Sequence, residues 1–130
     1  MQTPYTPPHD PLVILHDDAD VIVVDKPAGL LSVPGRGEHL ADCLITRVQQ
    51  VFPHALLVHR LDRDTSGIIL VAKKRSVLTA LQRMLANKSG IKKRYLALVH
   101  GAWPEGVTDV KLPLLRTERK SGERIVLVDD

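Results

Sequence analysis

A dense cluster of charges leads directly into an apolar run at the centre of the chain. The stretch "VHRLDRDTSGIILVAKK" covers residues 58–74 and places two arginines and two aspartates within residues 60–64. A Thr-Ser-Gly turn follows, and the apolar residues 68–71 come next. Such a run is typical of a buried strand. A surface patch would not need the strand and a structural strand would not need the charges, so the combination indicates a reactive loop held by a sheet.

The chain is long enough for one compact domain with a hydrophobic core. It has 130 residues, 44% of them hydrophobic, which suits one domain rather than two. No apolar run reaches the roughly 18 residues of a membrane span. The single cysteine, Cys43, rules out an internal disulfide and favours a reducing compartment. We therefore expect a cytoplasmic protein.

The first eleven residues are predicted to form an extended, proline-rich arm. The opening "MQTPYTPPHDPL" has four prolines and lacks the basic and apolar regions of a secretion signal. Residues 12–130 are expected to belong to a single folded domain.

Charge is distributed unevenly along the chain. Residues 1–58 hold three Lys or Arg against seven Asp or Glu, a balance of −4, and residues 59–130 hold fifteen against eight, a balance of +7. The basic residues cluster in three knots at 73–75, 92–94 and 116–120. Such a footprint suits a polyanion, because each neutralised phosphate releases counterions. A solvated basic face is the alternative.

Hydrophobic periodicity predicts an α+β fold. Residues 11–29 read as two strands joined by the acidic turn 17–20, and the apolar positions from Leu40 onwards follow a helical spacing that ends at Pro53. A second helix is expected between an N-cap at Ser76 and Gly90. The remaining predicted strands are "ALLVHRL", "GIILVAKK", "KKRYLALVHG", "GVTDVKLPL" and "ERIVLVDD". This order favours a mixed, largely antiparallel sheet with flanking helices.

Asp62 is the strongest candidate for chemistry in the charge cluster. A guanidinium beside it, from Arg60 or Arg63, would keep the carboxylate ionised. An ionised, positioned carboxylate can act as a nucleophile or a base, and the Thr65 and Ser66 hydroxyls can tie down the loop. An ion-pair network that caps a loop is the alternative. Lys26 and Gly29 are assigned to a turn, with a phosphate contact as a further option.

The stretch "HRLDRDTSG" followed by "IILVAKK" closely resembles the signature of the RluA-type pseudouridine synthases. The segments "VIVVDKPAGLLSVPG" at 21–35 and "KKRYLALVHG" at 92–101 resemble two further family motifs in the same order. The loop "GLLSVPGR" is similar to that of the RluA subgroup. The resemblance covers essentially the whole chain and implies the pseudouridine synthase catalytic fold, so residues 12–130 would form the N-terminal portion of its catalytic domain.

The resemblance implies isomerisation of specific uridines to pseudouridine in structured RNA, namely 23S ribosomal RNA, a tRNA anticodon stem-loop or both. No metal, nucleotide or redox cofactor is implied. Asp62 takes the position of the essential aspartate and Tyr95 that of the tyrosine that stacks on uracil. Arg60 takes the position of the arginine that fills the space left by the flipped base. The alternatives are a salt bridge for Arg60 and a core position for Tyr95.

Other charged residues have weaker assignments. His59, Lys92, Lys93 and Arg94 are expected to face RNA, with a structural role for His59 as the alternative. Arg63 and Asp64 are interpreted as loop charges. The six histidines and one cysteine show no metal-ligand spacing.

The family's third motif, which supplies a basic partner to the catalytic aspartate, has no match in these residues. We therefore expect a piece of a longer chain that is inactive by itself and that associates with a second copy through the edge strand "ERIVLVDD". Two rival functions stay open, namely a non-catalytic RNA-binding module and an aspartate-dependent hydrolase. A hydrolase would require a second carboxylate, for which Asp64 is the nearby candidate.

Overall fold

The computed structural model describes residues 4–118 and 124–128. The chain divides into two compact units, Met1–Lys93 and Arg94–Asp130. The first unit contains a four-stranded sheet with helices, and the second contains a two-stranded sheet.

The sheet of the first unit is antiparallel throughout. Its strands are β1 (Val13–Asp17), β2 (Val21–Lys26), β3 (Leu56–Leu57) and β4 (Gly67–Ala72). Their spatial order is β1-β2-β4-β3, and each neighbouring pair runs antiparallel. The α+β class with a largely antiparallel sheet and flanking helices is thereby confirmed.

Two helices cover opposite faces of this sheet. Helix α1 (Leu44–Val51) packs on the face that carries Ile69 and Val71, and α2 (Arg75–Ala86) packs on the face that carries Leu70 and Ala72. Successive side chains of a strand point to opposite faces, so β4 contributes apolar residues to the hydrophobic cluster under α1 and to the one under α2. The strand that follows the charge cluster is therefore held from both sides.

The helix boundaries differ in detail from those predicted. Helix α1 is preceded by a short 3₁₀ turn, Glu38–Leu40, and its N-cap is the buried Cys43, whose N–H donates to the Thr46 hydroxyl at 3.2 Å. Val51, the last of the apolar positions at helical spacing after Leu40, is 60% exposed, and α1 ends at this residue.

The second helix begins and ends a few residues earlier than the sequence predicted. Its N-cap is Lys74 rather than Ser76, and its C-cap is Asn87. Lys88 adopts a φ of 51°, and the next N–H, that of Ser89, donates to the Met84 carbonyl at 2.9 Å. This left-handed residue ends the helix, so Gly90 lies beyond it.

The first basic knot, residues 73–75, pairs with the acidic turn between β1 and β2. The Lys73 ammonium forms an ion pair with Asp17 and lies 4.8 Å from the centre of the Phe52 ring. The Lys74 ammonium lies 3.4 Å from Asp20. Asp18 closes the turn by accepting the N–H groups of Asp20 and Val21, both at 2.8 Å. Two of the knot's charges are therefore already balanced within the fold.

The second unit contains a hairpin of β5 (Leu114–Glu118) and β6 (Arg124–Val128), which pair antiparallel. The predicted strand at 92–101 is wrong, because these residues form no regular structure and no strand among the described residues supplies the ladder that a strand requires. The predicted strand at 106–114 is also wrong in extent. Strand β5 begins only after Pro113, which has no N–H to donate.

None of the helices in the described ranges is long and apolar enough to cross a membrane.

Candidate active site

The charge cluster lies in the loop that connects β3 to β4, residues 58–66. A second loop, residues 27–33, follows β2 and lies against it. The Gly29 N–H donates to the Arg63 carbonyl at 2.8 Å. Strands β2 and β4 are hydrogen-bonded neighbours, so the residues that follow one strand meet the residues that precede the other.

Lys26 joins the two loops from inside the protein. Its side chain is fully buried, and its ammonium donates to the carbonyls of Leu30 at 2.7 Å, Arg63 at 2.8 Å and Pro27 at 3.0 Å. Burial lowers the pKa of Lys26, and the attraction of Asp64 and Asp62 opposes that change. These contacts agree with the turn assignment, and the Lys26 side chain is not exposed for a phosphate contact.

Ser32 joins the same loops a second time. Its hydroxyl donates to the Leu61 carbonyl and accepts the Leu61 N–H at 3.1 Å. Both residues are buried, with Ser32 4% and Leu61 8% exposed. The sequence pattern assigned the loop's fixation to the Thr65 and Ser66 hydroxyls, whereas Ser32 and Lys26 provide it.

Asp62 lies at an open cleft of about 190 Å³ between the two loops. The cleft is lined by Leu31, Ser32, Val33, Arg60, Leu61, Asp62 and Arg63. Asp62 and Arg60 are both exposed. Within the described part of the chain, neither side chain forms an ion pair, so the alternative of a salt bridge between Arg60 and an aspartate is not realised. Both side chains are accessible to a ligand in the cleft.

Arg63 pairs with Asp64 instead of Asp62. Its guanidinium donates to the two Asp64 oxygens at 3.1 and 3.2 Å. This hydrogen bonding, together with the charges of Arg63 and Lys26, lowers the pKa of the Asp64 carboxyl. Both side chains are at least half exposed, which agrees with their interpretation as loop charges.

His59 has a backbone partner in the sheet. Its Nε2 accepts the Leu70 N–H at 3.0 Å, at the point where β3 has ended and no longer pairs with β4. Burial, and to a smaller extent the charge of Lys93, lowers the pKa of His59. The ring is therefore held neutral, with Nδ1 carrying the proton, and the structural alternative for His59 gains support.

The other expected RNA-facing residues are exposed. Lys92 and Lys93 end the first unit, and the Lys93 ammonium is near enough to His59 to affect its pKa. Arg94 and Tyr95 belong to the second unit, where Tyr95 is 59% exposed. The alternative of a core tyrosine is therefore not realised, and residues 92–94 present their charges to solvent.

Ser32 was missed by sequence reasoning, although a signal was available. It is a single hydroxyl residue between Leu31 and Val33 in a loop rich in Gly and Pro. A polar residue flanked by apolar ones is often buried and hydrogen-bonded, but the partner 29 residues away could not be read from the sequence. Within the described ranges, no group of three or more His, Cys, Asp or Glu is placed to hold a metal ion.

Comparison with known proteins agrees with this arrangement. The family model of RNA pseudouridylate synthases matches residues 20–125, which include both loops of the cleft. The chain belongs to this family. The ribosomal large subunit pseudouridine synthase C of Escherichia coli K12 is 48% identical over 119 residues, which are 89% of this chain and 36% of the relative.

A second relative gives the same result. The ribosomal large subunit pseudouridine synthase C of Buchnera aphidicola is 41% identical over 118 residues, covering 90% of this chain and 37% of the relative. The chain thus spans about a third of the length of these curated relatives. Both carry the name of the C enzyme, so they lend no support to a particular similarity to the RluA subgroup.

Among solved structures, human RNA pseudouridylate synthase domain containing 1 is 25% identical to this chain, with a TM-score of 0.48. The match covers 64% of this chain and 31% of the human chain.

Proposed function

We propose that this chain carries the essential aspartate of an RNA pseudouridine synthase, and that this aspartate is Asp62. The observation that carries the proposal is the position of Asp62 beside Arg60 at the open cleft, in a chain whose family is established. Because the chain spans 36% of a relative's length, we assign the activity to the complete polypeptide, with residues 12–130 as the N-terminal portion of its catalytic domain.

The reaction rearranges the uridine without any net change in its atoms. The bond from uracil N1 to ribose C1′ breaks, the base turns, C5 bonds to C1′, and the proton on C5 passes to solvent while N1 gains one. Asp62 either attacks C1′ or removes the C2′ proton, and both routes require an ionised carboxylate. The exposed position of Asp62 leaves it accessible for either role. Tyr95 is proposed to stack on the uracil.

Arg60 is proposed to stabilise the RNA after the target base leaves its stack. A base in a stem-loop must be flipped out before a side chain can reach its ribose. The planar guanidinium of Arg60 can fill the vacated space and also bind phosphates. Its lack of an ion pair among the described residues supports this assignment, because the group is not engaged elsewhere.

The proposed substrate is ribosomal RNA of the large subunit, with a tRNA stem-loop as the alternative. The relatives are named for the ribosomal large subunit, and the exposed knot at 92–94 would meet phosphates. The proposed RNA contacts remain His59, Lys92, Lys93 and Arg94. Together with this substrate we propose a cytoplasmic location. Self-association of the isolated chain through β6 stays a prediction for sedimentation measurements.

The hydrolase alternative is less well supported by the geometry. It would need a second carboxylate across the bond to be broken, but Asp64 is bound by Arg63. The other alternative, a module that binds RNA without modifying it, differs from the main proposal only because it would not convert uridine to pseudouridine.

Replacing Asp62 with asparagine tests the proposal in the full-length polypeptide. An amide has the same shape but is neither nucleophilic nor basic, so Asp62→Asn should abolish the release of tritium from C5-labelled uridine while RNA binding stays nearly intact. Large-subunit ribosomal RNA and tRNA transcripts are compared in the same assay, and free uracil is measured to detect hydrolysis.

Asp64→Asn is the matched control, since it makes the same exchange two residues away and should keep its turnover. Turnover by Asp62→Asn above about a tenth of the wild-type rate, which is about 1.4 kcal/mol in barrier height, would contradict the assignment. A wild-type protein that binds RNA without releasing tritium would favour the binding module, and release of uracil would favour the hydrolase.

A further inference from the structure

We propose that Ser32 is a positioning residue that fixes the backbone on which Asp62 is presented to the substrate. The inference rests on the proposed function and adds a residue outside the charge cluster. Ser32 lines the same cleft as Asp62, although it lies 29 residues before Leu61 in the sequence.

The Ser32 hydroxyl engages both backbone groups of Leu61. It accepts the Leu61 N–H at 3.1 Å and donates its own hydrogen to the Leu61 carbonyl. A serine hydroxyl has one hydrogen to donate, so its donor capacity is fully used by this residue. Leu61 immediately precedes Asp62, and its buried backbone is therefore held at two points.

Ser32 is itself attached to a rigid element. The first two N–H groups of α1 donate to the loop that contains Ser32. The Leu44 N–H donates to the Leu31 carbonyl at 2.8 Å, and the Ile45 N–H donates to the Ser32 carbonyl at 3.2 Å. The first N–H groups of a helix have no partner within the helix, so α1 is free to use them here. A continuous path of hydrogen bonds therefore runs from α1 through Ser32 to Leu61.

The Asp62 side chain depends on this path for its orientation. Within the described ranges no hydrogen bond engages its carboxylate, and its own carbonyl accepts only the Thr65 N–H at 3.1 Å in the following turn. The direction in which the carboxylate points is therefore set by the backbone before and after it. Reactions that depend on alignment lose about a hundredfold in rate for displacements of about an ångström.

The test compares steady-state kinetics of Ser32→Ala with those of the wild type in the full-length polypeptide. Ser32→Ala removes the hydroxyl and should lower kcat by about ten- to a hundredfold, with little change in KM because the residue offers its hydroxyl to Leu61 rather than to RNA. Ser32→Thr restores a hydroxyl and should recover most of kcat. Ser89→Ala, the same exchange at an exposed site in the loop after α2, is the matched control.

Rates are normalised to folded protein, measured by circular dichroism well below the unfolding temperature. Wild-type kcat in Ser32→Ala would overturn the inference, and so would a fall in activity that follows only the loss of folded protein in both Ser32 variants. A lower kcat with unchanged KM, reversed in Ser32→Thr, supports it. Failure of the proposed function is distinguishable, since the wild-type protein would then release no tritium.

Discussion

At the scale of single residues, the candidate site is built from side chains that bind backbone groups. His59 accepts an N–H from β4, Ser32 holds both polar groups of Leu61, and the Lys26 ammonium binds three carbonyls. Buried backbone groups outside a ladder need such partners, because an unsatisfied one costs about 1–3 kcal/mol. The loop that presents Asp62 is therefore held by side-chain hydrogen bonds without being part of the sheet.

His59 should make the stability of the chain depend on pH. Its pKa is lowered from 6.5 in the folded state, so below about pH 6.5 the unfolded chain binds a proton that the folded chain excludes. The free energy of unfolding should therefore fall as the pH drops from about 8 to about 5. His59→Gln keeps an acceptor for the Leu70 N–H but does not titrate, and it should reduce this fall in urea titrations.

The control is His54→Gln, the same exchange at an exposed histidine. In this variant the free energy of unfolding should fall between about pH 8 and about pH 5 by as much as in the wild type. An equally steep fall in His59→Gln would assign the pH dependence to other groups.

At the scale of elements, the N-terminal arm is docked onto the site rather than free. The Tyr5 hydroxyl accepts the Leu31 N–H at 3.0 Å and donates to the Asp42 carbonyl at 2.9 Å. Arg47 of α1 donates to the Pro8 carbonyl at 2.7 Å and to both Asp42 oxygens at 2.8 Å. Its guanidinium lowers the pKa of Asp42. The arm therefore supports the loop that lines the cleft.

Removing one hydroxyl from the arm should measure this contribution. Tyr5→Phe leaves the Leu31 N–H without its acceptor and should lower the free energy of unfolding by about 1–3 kcal/mol. Thr6→Ala is the control, since Thr6 is exposed and its hydroxyl donates to the Pro4 carbonyl within the arm at 3.4 Å. Urea unfolding of both variants checks the prediction, which an unchanged midpoint in Tyr5→Phe would contradict.

At the scale of the whole molecule, the basic charge divides into paired and free portions. The knot at 73–75 has two lysines bound to Asp17 and Asp20, whereas the residues of the knot at 92–94 are exposed and form no ion pair among the described residues. The third knot, residues 116–120, extends beyond the described residues. Of the two knots that are fully described, we expect the one at 92–94 to contribute more to contact with phosphates.

The salt dependence of RNA affinity should separate the two knots. Replacing Lys92 and Lys93 with glutamine in the full-length polypeptide should reduce the slope of log affinity against log salt by roughly 1.4–1.8, at about 0.7–0.9 for each phosphate contact. The same exchange at Lys73 and Lys74 is the matched control and should leave the slope nearly unchanged. A wild-type slope in the Lys92 and Lys93 double variant would show that the exposed knot is only solvated surface.

The sequence by itself was sufficient for the features that depend on neighbouring residues. Alternation and turn residues predicted β1, β2 and β4, helical spacing predicted α1, and the motif around Asp62 was enough to indicate the family. These features follow from side-chain periods of two and 3.6 residues and from local backbone preferences. Both are determined by residues that are close together in the sequence.

Only the tertiary structure decided which distant residues meet. Lys73 pairs with Asp17 across 56 residues, Lys26 reaches the Arg63 carbonyl across 37, and Ser32 reaches Leu61 across 29. The apolar alternation at 92–101 predicted a strand that does not form among the described residues, since a strand exists only where another supplies its hydrogen bonds. Such contacts depend on how the elements pack, and no local pattern specifies that.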